Sequence, residues 1–171
     1  MDRHKSSRAG ADALSDGLAL LELRPELADP LRQYLDLLVR WNRVYNLSAV
    51  RDPQAMIARH LLDSLAVLAW LPQGRLLDVG TGPGLPGIPI ALAQPNRAVA
   101  LLESNGKKVR FLRQVCLEMQ LDNVEVIASR LEDYWPDALF DGVICRAFTD
   151  AGSFWHGVER LLCPQGQALA M

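Results

Sequence analysis

Residues 76–87 read Leu-Leu-Asp-Val-Gly-Thr-Gly-Pro-Gly-Leu-Pro-Gly, an apolar run carrying an aspartate and running directly into a turn of glycines and prolines. The run has the composition of a short buried strand. In the turn, Gly80, Gly82, Gly84 and Gly87 remove side chains from the path, while Pro83, Pro86 and Pro89 stiffen it. A stiff loop without side chains lets backbone come against a bound molecule. Gly82, Gly84 and Gly87 also spell G-x-G-x-x-G, a dinucleotide-binding pattern that is weak on its own. Context strengthens it. Ala98 to Leu102 form a second apolar run ending in Glu103, about 20 residues beyond the glycines, where an acid after the second strand can bind both hydroxyls of a ribose. Loop and acid together point to an adenosine-containing ligand.

Upstream of this stretch, Leu31, Leu35, Leu38, Val39 and Trp41 to Val44 recur at helical spacing. A second helical pattern runs from Pro53 through Ile57, Leu61, Leu65 and Leu68 until Pro72 closes it. Downstream of Gly74, short apolar runs alternate with helical stretches. Strands are predicted at Leu76–Val79, Ala98–Leu102, Val124–Ile127, Phe140–Cys145 and Ala168–Met171, and helices at Gly87–Ala93, Lys107–Met119 and Ser153–Leu162. Such alternation implies an α/β domain with a parallel sheet. Residues 1–30 are expected to be a partly disordered N-terminal extension, 31–73 a helical element, and 74–171 a core packed with that element as one domain. Ligands of open parallel sheets sit beyond the carboxyl ends of the strands, where strand order reverses. That edge would collect the glycine loop, Glu103, Ser129 to Asp133 after the third strand, and Arg146 to Phe148 after the fourth.

Composition narrows the classes. At 171 residues and 50% hydrophobic, the chain can bury one sizeable core. A net charge of -2 speaks against a uniformly basic nucleic-acid binder. A local patch exists, however: Arg97, Lys107, Lys108, Arg110 and Arg113 lie within one short stretch against the single acid Glu103. Cys116, Cys145 and Cys163 are widely spaced and odd in number, so neither a disulfide framework nor a zinc site is expected, and no metal. The N-terminus has no apolar stretch behind its basic residues, and nowhere do about 18 apolar residues run together, so a cytoplasmic protein without a membrane span is expected. Trp41, Trp70, Trp135 and Trp155 are scattered and read as core or boundary residues.

Four strings in order carry a resemblance: Asn46 to Ser64 (NLSAVRDPQAMIARHLLDS), Asp78 to Pro89 (DVGTGPGLPGIP), Gly106 to Val115 (GKKVRFLRQV) and Phe140 to Phe148 (FDGVICRAF). From about Tyr34 onward the chain resembles the bacterial glucose-inhibited division protein B family, the 16S ribosomal RNA guanine-N7 methyltransferases. The resemblance implies a Rossmann-like, class I S-adenosylmethionine-dependent methyltransferase sheet with N-terminal helices. It implies S-adenosylmethionine as cofactor, a decoding-region loop of 16S rRNA or the small ribosomal subunit as substrate, and a monomer. Cofactor positions carried over are Asp78, Gly80, Thr81, Gly82, Gly84, Leu85, Glu103, Leu131, Glu132 and Arg146. Glu103 stands where relatives commonly have aspartate. Arg130 and Arg146 are candidates for holding the target base or RNA phosphate by position and charge, and Asn46, Arg51, Lys107 and Arg110 for contacting RNA. The family sheet has seven strands, so the chain would break off inside the fifth, leaving an open strand edge and removing residues that border the site. This leaves the activity of a chain of this length open.

The implied chemistry suits the residues. Guanine N7 offers an in-plane lone pair and no proton, so attack on a sulfonium methyl requires alignment and exclusion of water but no general base. The chain has no N-P-P-Y motif for gripping an amino nitrogen and no Pro-Cys nucleophile for pyrimidines. Cys145 reads as a small apolar strand residue. His60 and Asp63, three apart on one helix face, read as a hydrogen-bonded junction between helix and sheet rather than a catalytic pair. Two other classes stay open at this point: a non-catalytic RNA- or ribosome-binding remnant of the fold, and a nicotinamide-dependent oxidoreductase, for which no Tyr-x-x-x-Lys set is found.

Overall fold

The computed structural model describes residues 13–146 and 151–171. Ala147 and Phe148 of the last resemblance string lie outside the described residues, as do residues 1–12 of the N-terminal extension. Five parallel strands form one sheet in the order β3-β2-β1-β4-β5. They are β1 (Leu76–Val79), β2 (Val99–Glu103), β3 (Val124–Ala128), β4 (Phe140–Cys145) and β5 (Leu162–Ala170). All four residues of the central β1 are buried, as expected of a parallel strand covered on both faces.

Side-chain alternation along the strands divides the interior into two cores. Leu76, Val99, Leu101 and Ile144 face one core, and Leu77, Val79, Ala100, Leu102, Val143 and Cys145 face the other. The first core is covered by α2 (Ala28–Tyr45), α5 (Gly87–Ala93) and α6 (Gly106–Met119), together with a continuous helical stretch from Pro53 to Trp70. The second lies beneath α7 (Ala151–Val158), which contributes Phe154 and Val158. The stretch Pro53–Trp70 is not uniform: α3 (Pro53–Met56) passes through a π turn (Ile57–Leu62) into α4 (Asp63–Ala66) and a 3-10 turn (Val67–Trp70).

Two elements differ from the sequence expectation. Residues 13–20 form a helix, α1, whose Leu14 and Leu18 are buried in the first core and whose Gly17 lies against Leu62. These residues belong with the helical element rather than with a disordered extension, because a stripe of only two or three leucines suffices once α2 and the π turn receive it. The last strand begins at Leu162 rather than Ala168, and α7 ends earlier, at Val158. Phe140 pairs with Leu162 and Gly142 with Gln167, so residues 163–166 bulge out between the two pairings. Pro164 lies in that bulge, where its missing N–H leaves no ladder position empty.

Candidate active site

Val79 of β1 is in register with Leu102 of β2 and with Cys145 of β4. The three strands therefore release the glycine loop, Glu103 and Arg146 at one edge of the sheet. Strand order reverses between β1 and β4, where parallel sheets open a crevice.

Asp78 organises the loop from below. It is fully buried, and its Oδ2 accepts the Thr81 hydroxyl at 2.5 Å and the Gly87 N–H at 2.8 Å. Its Oδ1 is buried without a hydrogen-bond partner among the described residues. Burial raises the carboxyl pKa from 3.8 to about 7, against the lowering effects of Thr81, Gly87 and the Arg146 charge. The glycines of the loop divide by face. A Cβ on Gly80 would meet nothing within 4 Å, and one on Gly82 only Lys108 Nζ at 3.9 Å and the Gly80 carbonyl. Both residues have positive φ. Gly84 and Gly87 face the packed side, against Ile88 and Leu112, and against Leu101 and Asp78. Thr81, Gly82 and Leu85 are buried, and Gly80 is the exposed residue of the loop.

The loop is braced from two sides. Glu103, buried at the end of β2, accepts the Gly82 N–H through Oε2 at 2.9 Å and the Asn105 N–H through Oε1 at 2.8 Å. Lys108 Nζ lies 4.0 Å from Oε2. From the helical layer, the wholly buried Tyr34 donates its hydroxyl to the Pro83 carbonyl at 2.8 Å. Burial pushes the Tyr34 phenol far above its usual pKa, so it remains a donor. The leucine stripe around Tyr34 makes its burial legible in the sequence, but nothing there signals its bond to the loop.

Beyond β3, Arg130 and Glu132 are exposed, and Leu131 is half-buried against the second core. Arg160 fixes this turn by donating to the Leu131 carbonyl at 2.6 Å and the Tyr134 carbonyl at 2.7 Å, with its guanidinium 4.2 Å above the Trp135 ring. A lone arginine after a helix carries no sequence signal for this role. Arg146 donates through Nη1 to the Arg59 carbonyl at 2.9 Å and lies 3.7 Å from Asp63 Oδ2. His60 makes its contact elsewhere, with Ser48.

The expected RNA-contact residues converge beside this edge. A cleft of about 620 Å³ between the end of α2 and the start of α6 is lined by Tyr45, Asn46, Asn105, Lys107, Lys108 and Arg110. An adjoining cleft of about 310 Å³ shares Asn46 and adds Arg43 and Arg51. Asn46 terminates α2 in the left-handed conformation, and its side chain accepts from Arg51 at 3.2 Å. Arg97, the first cation of that stretch, is turned away and spends its guanidinium on Gly74, Pro72 and Gln94. A larger hollow of about 660 Å³ opens at that opposite end. Its Arg75 and Arg97 are already bonded within the protein, so the available chemistry lies at the carboxyl edge. Among the described residues there is no cluster of metal-ligating side chains, and no helix is long and apolar enough to cross a membrane.

Comparison with known proteins shows the family and the fold. Residues 28–171 match the family profile described as GidB, rRNA small subunit methyltransferase G. Ribosomal RNA small subunit methyltransferase G of Pseudomonas syringae pv. syringae is 53% identical over 146 residues, covering 84% of this chain and 68% of the relative. The Legionella pneumophila protein of the same name is 46% identical over 158 residues, covering 92% and 76%. Among solved structures, the glycopeptide N-methyltransferase MtfA complexed with S-adenosyl-L-methionine superposes with a TM-score of 0.56 at 17% identity, covering 66% of this chain and 50% of that one. That last likeness establishes the fold.

Proposed function

Since the chain belongs to the GidB family, rRNA small subunit methyltransferase G, we propose that it transfers the methyl group of S-adenosylmethionine to N7 of a guanine in 16S rRNA, acting as a cytoplasmic monomer. The observation that carries this reading is the register of Val79 with Cys145, which sets the Asp78 loop beside Arg146 at the point where strand order reverses.

The residues present fit the cofactor. The orphaned Asp78 Oδ1 is an acceptor that a cationic group or a water beneath it would satisfy, and the face of Gly80 and Gly82 is clear. Bound there, S-adenosylmethionine supplies a methyl group activated on a sulfonium. Asp78 would place negative charge near the cationic methionine end, together with Arg146 for its carboxylate or for the target base. Glu103 keeps acceptor capacity on both oxygens beyond its two backbone bonds and would take the ribose hydroxyls. Leu131 and Glu132 would flank the adenine. Asn46, Arg51, Lys107 and Arg110 would hold RNA along the two clefts, with Arg130 at the far side of the crevice.

No side chain need take a proton, because N7 bears none. The sulfonium charge passes to the methylated guanine, so the site stabilises no new net charge. The protein's contribution is to align two atoms and to keep water out. Family membership gives the nicotinamide reading no support.

Calorimetric titration of the chain with S-adenosylmethionine and, separately, NADH tests the cofactor site. Binding of the former alone, weakened at least about tenfold in Glu103→Ala, is expected. Incubation with naked 16S rRNA and with small subunits, followed by borohydride and aniline scission at N7-methylguanine, tests the substrate. Binding without N7 modification of either would favour an RNA-binding remnant.

A further inference from the structure

Arg146 leaves the end of β4, yet among the described residues the two groups that hold it belong to the helical stretch above. In a regular α-helix the Asp63 N–H would bond to the Arg59 carbonyl, four residues back. Here the π turn carries it to Ala58, five residues back. The Arg59 carbonyl instead accepts the Arg146 Nη1–H, and the Asp63 carboxylate lies beside the same nitrogen. Single π turns of this kind are rare and concentrate at functional sites.

His60 lies inside the π turn, between the two residues that hold Arg146, and is buried. Its Nε2 is 2.8 Å from the Ser48 hydroxyl, on the segment that joins α2 to α3. Ser48 Oγ also accepts the Val50 N–H, so its own hydrogen is available to the imidazole. The buried Asn42 locks the same segment by accepting from the Ser48 N–H at 2.8 Å and donating to the Val50 carbonyl at 3.2 Å. Burial also pushes the His60 imidazole below the usual histidine pKa, which suits a neutral strut rather than a proton carrier. A continuous path therefore runs from the 46–51 turn, through Ser48 and His60, to the two groups that seat Arg146.

We propose that His60 is a positioning residue: by tying the π turn to Ser48, it makes the placement of the Arg146 guanidinium depend on the conformation of the 46–51 turn, so that RNA seated on Asn46 and Arg51 sets Arg146 for methyl transfer. The proposal rests on the reading of this chain as an rRNA methyltransferase whose substrate meets that turn.

Ser48→Ala cuts the tie with little loss of volume, and Ser48→Thr keeps the hydroxyl. The expected result is a kcat about tenfold lower for Ser48→Ala at unchanged cofactor KM, restored to within about twofold by Ser48→Thr. A purely structural Ser48 would lower Tm without this split. Combined with Arg146→Lys, Ser48→Ala should cost little further rate, since members of one path are not additive. A reading independent of turnover is the ¹⁵N side-chain resonance of Arg146 on addition of a 16S rRNA fragment: it should shift in the wild type and in Ser48→Thr, and not in Ser48→Ala. An equal shift in Ser48→Ala, or an undiminished kcat in an otherwise active enzyme, overturns the coupling alone. A wild-type chain that neither binds nor methylates the RNA overturns the parent reading and the coupling with it.

Discussion

Replacing Asp78 by asparagine should move stability and cofactor affinity in opposite directions. The amide oxygen can take over the bonds from Thr81 and Gly87, while the amide nitrogen occupies the position of Oδ1, which has no partner to lose. The wild-type carboxyl has a folded pKa of about 7 against an ordinary value of 3.8 for the unfolded chain. Between those values the folded chain binds a proton that the unfolded chain does not, so the wild type loses stability as pH rises through that window. The full penalty above it is about 4 kcal/mol, the product of a shift of roughly three units and 1.36 kcal/mol per unit. Asparagine carries no such penalty. Between pH 5 and pH 8 the variant should therefore gain about 2–3 kcal/mol on the wild type, about 5–10 °C in Tm for a chain of this size. Set against this is a constant cost of about 1–3 kcal/mol for a buried amide N–H without an acceptor. Loss of the negative charge should meanwhile weaken S-adenosylmethionine about 10–100-fold, the range of a charge-assisted hydrogen bond. Differential scanning calorimetry at the two pH values and titration with the cofactor at pH 8 measure both effects. A Tm difference that does not change with pH, or a cofactor Kd within about threefold of wild type, would refute the account of Asp78 as a buried charge kept for the ligand.

Tyr34→Phe leaves the Pro83 carbonyl buried and unbonded and should cost about 1–3 kcal/mol, seen as a lower melting temperature with a smaller loss of cofactor affinity. Gly80→Ala should fold, at about 1–2 kcal/mol for the left-handed backbone, and bind cofactor poorly, because its Cβ points into the clear face. Gly87→Ala should fail to fold, since its Cβ would strike Leu101 and Asp78; circular dichroism and cofactor titration separate the pair. Lys107→Ala and Arg110→Ala should each weaken RNA binding across sequences and lower the slope of log affinity against log salt by about one, measured by filter binding at several salt concentrations.

The sheet, its helices and the edge that carries the chemistry are local properties of the chain. A short apolar run that passes straight into glycines reads as a covered strand feeding a turn, and Leu76–Val79, Gly87–Ala93 and Phe140–Cys145 lie where their apolar runs place them. The acid after the second run is legible too, but it is the parallel pairing of β2 with β1 that brings Glu103 to the loop. Tertiary structure decided what pattern cannot encode. Two leucines turn residues 13–20 into core helix only because α2 and the π turn receive them, and β5 starts early only because β4 offers Phe140 a partner in Leu162. Which loop glycines are packed and which are not depends on neighbours that include Leu112, distant in sequence, against Gly84, and open space beside Gly80. The bonds that hold the site, Tyr34 to Pro83, Arg160 to Leu131, His60 to Ser48 and Arg146 to Arg59, join residues between 12 and 87 positions apart. Periodicity reports which face of an element is buried; which polar group each side chain finds there is settled only when the elements pack, because a hydrogen bond requires its partner within about 3 Å in space and has no fixed interval along the chain.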